Sequence, residues 1–213
     1  MSNHSAAVHL VDHPLVRHHL THLRRVQTGP VEFRRHVRQL ASLLAYNATQ
    51  DLREQPLEIQ TPLTRMTGSV VASTIGLVPI LRAGLGMVDP VLDLLPDAQV
   101  WHLGLYRDEQ TARPVSYYSK LPPGQPVDVA LVLDPMLATG GSAIAALSTL
   151  KSWGVPQVKL LAIIAARPGI ASVMESHPGT PIHVCAVDAE LNDRKFIVPG
   201  LGDAGDRTFN TRG

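Results

Sequence analysis

The apolar positions of this chain change rhythm once, near residue 56. Before it, over residues 14–27 and again over 31–52, they recur every three or four residues: Leu15, Leu20, Leu23 and Val26, then Val37, Leu40, Leu43, Leu44 and Tyr46. That spacing predicts two amphipathic helices, separated at Thr28-Gly29-Pro30 by a helix stop and a proline. Beyond Pro56 the pattern becomes short apolar runs at 75–81, 100–106, 129–133, 158–165 and 182–187. Such runs suit strands covered on both faces. Helix-like stretches at 84–95, 141–153 and 169–177 lie between them, so the alternation predicts βα units and a parallel sheet. Segment 108–124 fits neither kind: it carries charges and three prolines and is long enough to be a hairpin or lid.

Composition narrows the class. At 213 residues, 45% hydrophobic and 17% charged, the chain suits one α/β domain and argues against disorder. No repeat or linker divides it. A net charge of +1 gives no global reason to bind nucleic acid or an anionic membrane, although Arg17, Arg24, Arg25, Arg34, Arg35 and Arg38 gather in the two helices. The single cysteine, Cys185, lies in a strand-like run and reads as an inert core thiol. The first ten residues contain no basic stretch followed by an apolar one, and no run approaches membrane-spanning length, so a cytoplasmic location is expected. Histidines crowd the N-terminus (His4, His9, His13, His18, His19, His22, His36). Two pairs are four residues apart, but no carboxylate or cysteine completes a metal set, which favours a solvated or subunit-facing helix surface.

Three segments carry candidate chemistry. The run 129–133 leads into Asp134-Pro135-Met136-Leu137-Ala138-Thr139-Gly140-Gly141-Ser142 and then a helix. A strand, an acid, a glycine turn and a helix N-terminus make an anion site at the sheet edge where open α/β folds bind ligands. Asp134 is ill-suited to a phosphate but well suited to the hydroxyls of an attached sugar. The turn lacks the Lys-Ser/Thr of a P-loop and the Gly-x-Gly-x-x-Gly of dinucleotide sites. The second segment, Arg82-Ala83-Gly84-Leu85-Gly86, follows another strand and supplies a guanidinium fork and free amides for a second anion. Arg107 ends the run 100–106 and opens the irregular segment. The third, Ile197-Val198-Pro199-Gly200-Leu201-Gly202-Asp203-Ala204-Gly205-Asp206-Arg207, is a glycine-rich loop flanked by apolar residues, able to offer backbone donors and acceptors to a flat ligand.

Together these segments resemble the uracil phosphoribosyltransferases of the type I phosphoribosyltransferase superfamily. The likeness covers about residues 11–210, and Asp134-Pro135 stands where most of the superfamily carries two acids. It implies an α/β fold: an open, mainly parallel twisted sheet flanked by helices, with a small C-terminal base-binding hood. It implies one domain over 1–213, with an N-terminal helical arm (1–55), a β-hairpin flap (107–124) and a base-binding loop (188–213). It implies a pentosyltransferase of pyrimidine salvage that converts uracil and 5-phosphoribosyl 1-diphosphate (PRPP) to UMP and diphosphate. Residue by residue, Arg82, Arg107, Asp134, Pro135, Met136, Leu137, Ala138, Thr139, Gly140, Gly141, Ser142 and Asp203 match the PRPP site. Ile197, Gly202, Asp203 and Ala204 match the uracil contacts, and Arg82, Arg107, Asp134 and Asp203 are the candidate catalytic set. The family also implies Mg2+ held through the diphosphate with water bridging to Asp203, a homodimer or larger homo-oligomer, and GTP as an allosteric activator. The chain departs from the family pattern at Phe196, usually tyrosine, at Asp193-Arg194-Lys195, usually an acid followed by glycine, and at Arg113, where the flap is expected to be more acidic. Rival readings are a phosphoribosyltransferase for another base or orotate, and a PRPP-binding, RNA-binding regulator of pyrimidine genes.

Overall fold

A computed structural model describes residues 8–107, 114–119 and 121–211. Strand β1 (Val8–Leu10) precedes helices α1 (Pro14–Arg24) and α2 (Pro30–Ala48). Both helices start with proline in the first turn, where a missing N–H costs nothing, and His13 caps α1 by accepting from the Leu15 amide at 3.1 Å. A hairpin of β2 (Glu54–Gln60) and β3 (Arg65–Val71) follows, then β4 (Ile75–Pro79), a 3-10 turn (Ala83–Met87), α3 (Val88–Leu92), β5 (Gln99–Val100) and the antiparallel pair β6 (Leu103–Arg107) and β7 (Pro114–Ser119). The remainder is β8 (Val129–Leu133), β9 (Met136–Leu137), α4 (Gly141–Trp153), β10 (Gln157–Ala166), α5 (Arg167–Ser176), β11 (Ile182–Asp188), the short pair β12 (Glu190–Leu191) and β13 (Ile197–Val198), and α6 (Ala204–Phe209).

The main sheet has seven strands in the order β1-β11-β10-β8-β4-β5, with β9 continuing beside β10, and every pairing in it is parallel. Its central strands β4 and β8 are buried at every position because each face meets a different core. On β8, Val129, Leu131 and Leu133 face the core shared with α1 and α2, whereas Ala130 and Val132 face the one shared with α4. Phe33, Leu40 and Leu44 of α2 are fully buried in the first core, so the N-terminal helices form one layer of the sandwich.

Three sequence expectations change. The run 100–106 is not one buried strand: β5 ends at Val100, and β6 leaves the main sheet to pair with β7, because the second half of the run has a partner outside the sheet. The helix expected over 84–95 is a 3-10 turn and then only five residues of α-helix, with Pro90 inside it. The histidine surface is partly internal. His36 is buried, its Nδ1 lies 3.0 Å from that of His19, and its ring stacks on His22 at 5.1 Å; burial and neighbouring histidines lower the pKa of both His19 and His36. Cys185 fits its expectation, since burial pushes its thiol up to about 12. Of the flap expected at 107–124, residues 108–113, with the Arg113 departure, and residue 120 lie outside the described residues.

A polar cluster closes the end of the sheet where β10 and β11 begin. Buried Lys159 donates to the Ala48 carbonyl at 2.6 Å and pairs with Asp51, and His183 bonds Asn47 at 2.8 Å while stacking on His9. All the candidate chemistry lies at the opposite end.

Candidate active site

Asp134 follows the last residue of β8, the strand between β4 and β10. Its amide bonds the Leu161 carbonyl of β10 at 3.1 Å, and its Oδ1 accepts from the Met136 amide at 3.2 Å. The surrounding protein strips water from the carboxyl and pushes its pKa up to about 7, against the opposing Met136 hydrogen bond. The chain then runs through β9 beside β10 and turns at Gly140, whose φ of +87° is left-handed. No side chain caps α4, so the amides of its first turn and the dipole behind them face outward without an internal acceptor. Gly140 and Gly169 are needed for closeness as well: a Cβ on Gly169 would collide with the Ala138 carbonyl oxygen, and one on Gly140 would lie 2.9 Å from the Gly169 oxygen. The glycine turn is thus wedged between the ends of β10 and α5.

Arg82 opens the 3-10 turn that packs on the end of β8. Ile80 donates to the Leu133 carbonyl at 2.9 Å, and a Cβ on Gly84 would strike that same carbonyl oxygen. Only glycine lets the arginine turn lie against the end of β8. The guanidinium reaches across to the C-terminal segment, with Nη2 3.0 Å from Asp206 Oδ1. It is 59% exposed, so the pair is weak and easily exchanged for a ligand anion. Arg107 is the last residue of β6, level with Pro114 of β7, and a bridge between Ile80 and Leu103 roots this pair beside β4.

The third segment meets Arg82 through Asp206. Ile197 is buried and pairs with Leu191, Ala204 is buried at the start of α6, and Gly202 and Asp203 are exposed between them. Asp203 caps α6, its Oδ1 accepting from the Asp206 amide at 2.8 Å. A Cβ on Gly205 would lie 3.2 Å from Asp203 Oδ1 and 3.6 Å from Arg82 Nη2, so Asp203, Asp206 and Arg82 meet around one glycine.

From residue 10 to residue 211 the chain matches the family model described as uracil phosphoribosyltransferase. The chain belongs to that family. The uracil phosphoribosyltransferase of Roseiflexus castenholzii is 60% identical over 204 residues, 96% of this chain and 98% of that one. The enzyme of the same name from Bacillus thuringiensis is 50% identical over 206 residues, 96% of this chain and 99% of its own. A solved structure from Aquifex aeolicus superimposes with a TM-score of 0.90 at 35% identity, covering 95% of this chain and 98% of the other.

Within this family member the structure brings Arg82, Asp134, the 138–142 turn and the 197–204 loop to one edge of the sheet, with β6 carrying Arg107 rooted there. Pro135 and Leu137 are buried and serve to hold the turn, the Pro135 carbonyl accepting from Ile164 at 3.0 Å. Four residues of this edge had no role assigned from sequence: Asp206, which pairs with Arg82, and Arg24, Asp188 and Arg207, which grip the C-terminal loop. Asp206 and Arg207 were visible in the glycine-rich run. Arg24 and Asp188 are 164 positions apart and carry no local signal.

Proposed function

We propose that this protein transfers the phosphoribosyl group of PRPP to N1 of uracil, releasing UMP and diphosphate. The observation that carries the reading is the junction at the end of β8: Asp134 and the uncapped turn of α4 on one side, and the Arg82 turn packed on Leu133 on the other. Two anion sites flanking a carboxyl suit a sugar with a phosphate at each end. The amides and hydroxyls of 138–142 take the 5′-phosphate, and Asp134 accepts from the ribose hydroxyls. Arg82, released from Asp206, and Arg107 balance the charge of the leaving diphosphate. The backbone of Ile197, Gly202 and Ala204 holds the planar base in line with the anomeric carbon. Since backbone groups read the base, the Phe196 departure leaves uracil as the substrate; Asp193, Arg194 and Lys195 all lie exposed in the turn before β13.

Mg2+ supplies further charge neutralisation when bound with the diphosphate. The residues fit such an ion: one oxygen of Asp203 is taken by the Asp206 amide, and the other is left for a water of the ion's shell. Asp203 is also the candidate acceptor of the uracil proton.

The protein acts as a homo-oligomer in this reading. The β2–β3 hairpin holds Leu57, Ile59, Met66, Val70 and Val71 in the open, with Leu63 at its tip 94% exposed. A cavity of about 330 Å3 lined by Val70, Val71, Leu94 and Leu95 opens at its base. Apolar surface on that scale suits a second copy. GTP remains the activator implied by kinship.

The test is direct. The protein, Mg2+, PRPP and labelled uracil are expected to yield UMP, with orotate and purine bases inert. Absence of UMP, or preference for another base, refutes the reading.

A further inference from the structure

The loop proposed to hold the base is anchored to the N-terminal helical layer through one peptide group. Gly200 donates its N–H to Asp188 Oδ2 at 3.1 Å, while its carbonyl accepts from Arg24 Nη1 at 2.8 Å. Arg24 and Asp188 are themselves joined by two parallel bonds of 2.8 Å, and their side chains are only 23% and 7% exposed. One ion pair, made by the end of α1 and the end of β11, thus grips both polar groups of Gly200. A neighbouring arginine takes the next carbonyl: Arg207 donates to Leu201 at 2.7 Å, to Leu23 at 2.7 Å, to Arg25 at 2.7 Å and to Thr28 at 3.2 Å, with its guanidinium 4.4 Å over the Phe33 ring. Gly200 is left-handed at φ +61°, and a Cβ there would collide with the Ile197 carbonyl oxygen. The backbone between Ile197 and Gly202 is therefore folded back on itself and pinned from below at two consecutive carbonyls.

We propose that Arg24, acting through Asp188 and Gly200 and supported by Arg207, is a positioning residue for the base: α1 sets where the 197–204 backbone stands and hence the affinity for uracil, without touching it. The proposal rests on the functional reading above. The geometry favours positioning over general support, because α1 packs through Val16, Leu20 and Leu23, none of which needs Arg24. The fork is also specific to arginine: a lysine keeps the charge but cannot make two parallel bonds to a carboxylate and a third to a carbonyl.

The test is Arg24→Lys with Asp188→Asn as its partner, each read in two ways. Steady-state kinetics are expected to give about a tenfold rise in KM for uracil, with kcat and KM for PRPP within about twofold of the starting protein. Hydrogen exchange is expected to be faster in peptides covering 197–204 and unchanged in β8 and α4. Arg17→Gln, which removes from α1 an exposed ion pair with Asp12 just before the helix, is expected to match the starting protein in both. An unchanged uracil KM, an equal shift in all kinetic constants, or unchanged loop exchange overturns the proposal. If one variant fails to fold, the other decides. If the unaltered protein forms no UMP, the functional reading falls, and the exchange measurement still tests the clamp.

Discussion

Burial gives Asp134 an ionisation penalty. A carboxyl with a pKa of 3.8 in the unfolded chain and about 7 in the folded one binds its proton more tightly when folded. The contribution of Asp134 to stability is therefore greatest below pH 4, falls as pH rises between the two values, and stays at its lower level above them. Removing the charge removes the loss. Asp134→Asn is expected to raise the stability of the free protein at pH 8, by up to about 4 kcal/mol, with the gain shrinking toward pH 4. It is also expected to lower kcat/KM for PRPP by about 100-fold, on the scale of a lost transition-state contact. Thermal unfolding at pH 4, 6 and 8 beside initial rates checks both halves. A variant that is less stable at pH 8, or fully active, contradicts this account. Sequence already singled out Asp134, since an acid between a strand and a glycine turn has few structural uses. Its depressed acidity was not visible there, because it depends on how closely β4 and β10 flank β8.

Among the elements, the glycines matter as permitted approaches more than as flexible points. Gly84 has no left-handed requirement; it is needed because the Arg82 turn touches the last carbonyl of β8. Gly84→Ala is expected to push that turn off the strand, costing about 1–3 kcal/mol of stability and at least about tenfold in kcat. Near-normal turnover with lowered stability would separate the turn from the chemistry. The apolar runs were legible as strands, and α1, α2, α4 and α5 lie within a few residues of their expected limits. The break between β5 and β6 was not, because an apolar run has the same appearance whether its cover is a neighbouring strand or a helix. The β2–β3 hairpin also went unassigned, although Leu57 and Ile59 alternate with polar residues and Thr61 closes the turn by accepting from the Leu63 and Thr64 amides at 3.2 and 3.0 Å. Proline at positions 56 and 62 obscured that pattern.

For the whole molecule, the exposed hairpin is the feature that a lone subunit leaves without an account. Replacing Leu57 and Ile59 together by glutamate is expected to halve the mass measured by light scattering or sedimentation, with the circular dichroism of the α/β body unchanged. A starting protein already monomeric at micromolar concentration contradicts the oligomer. No helix among the described residues is long and apolar enough to cross a membrane.

The two N-terminal helices, the alternation of buried strands with α4 and α5, the sheet class and the three candidate segments could be read from the chain because each depends on residues close in sequence: a periodicity, a turn, an acid before a glycine pair. The meeting of those segments could not. Arg82 meets Asp206 across 124 positions and Arg24 meets Asp188 across 164, and such pairs exist only once parallel pairing has brought the same ends of β4, β8 and β11 to one edge. The N-terminal helices make the same point. Their periodicity shows an apolar face, but only the packed sheet turns that face into a layer of the core and places Arg24 against Gly200 of the C-terminal loop.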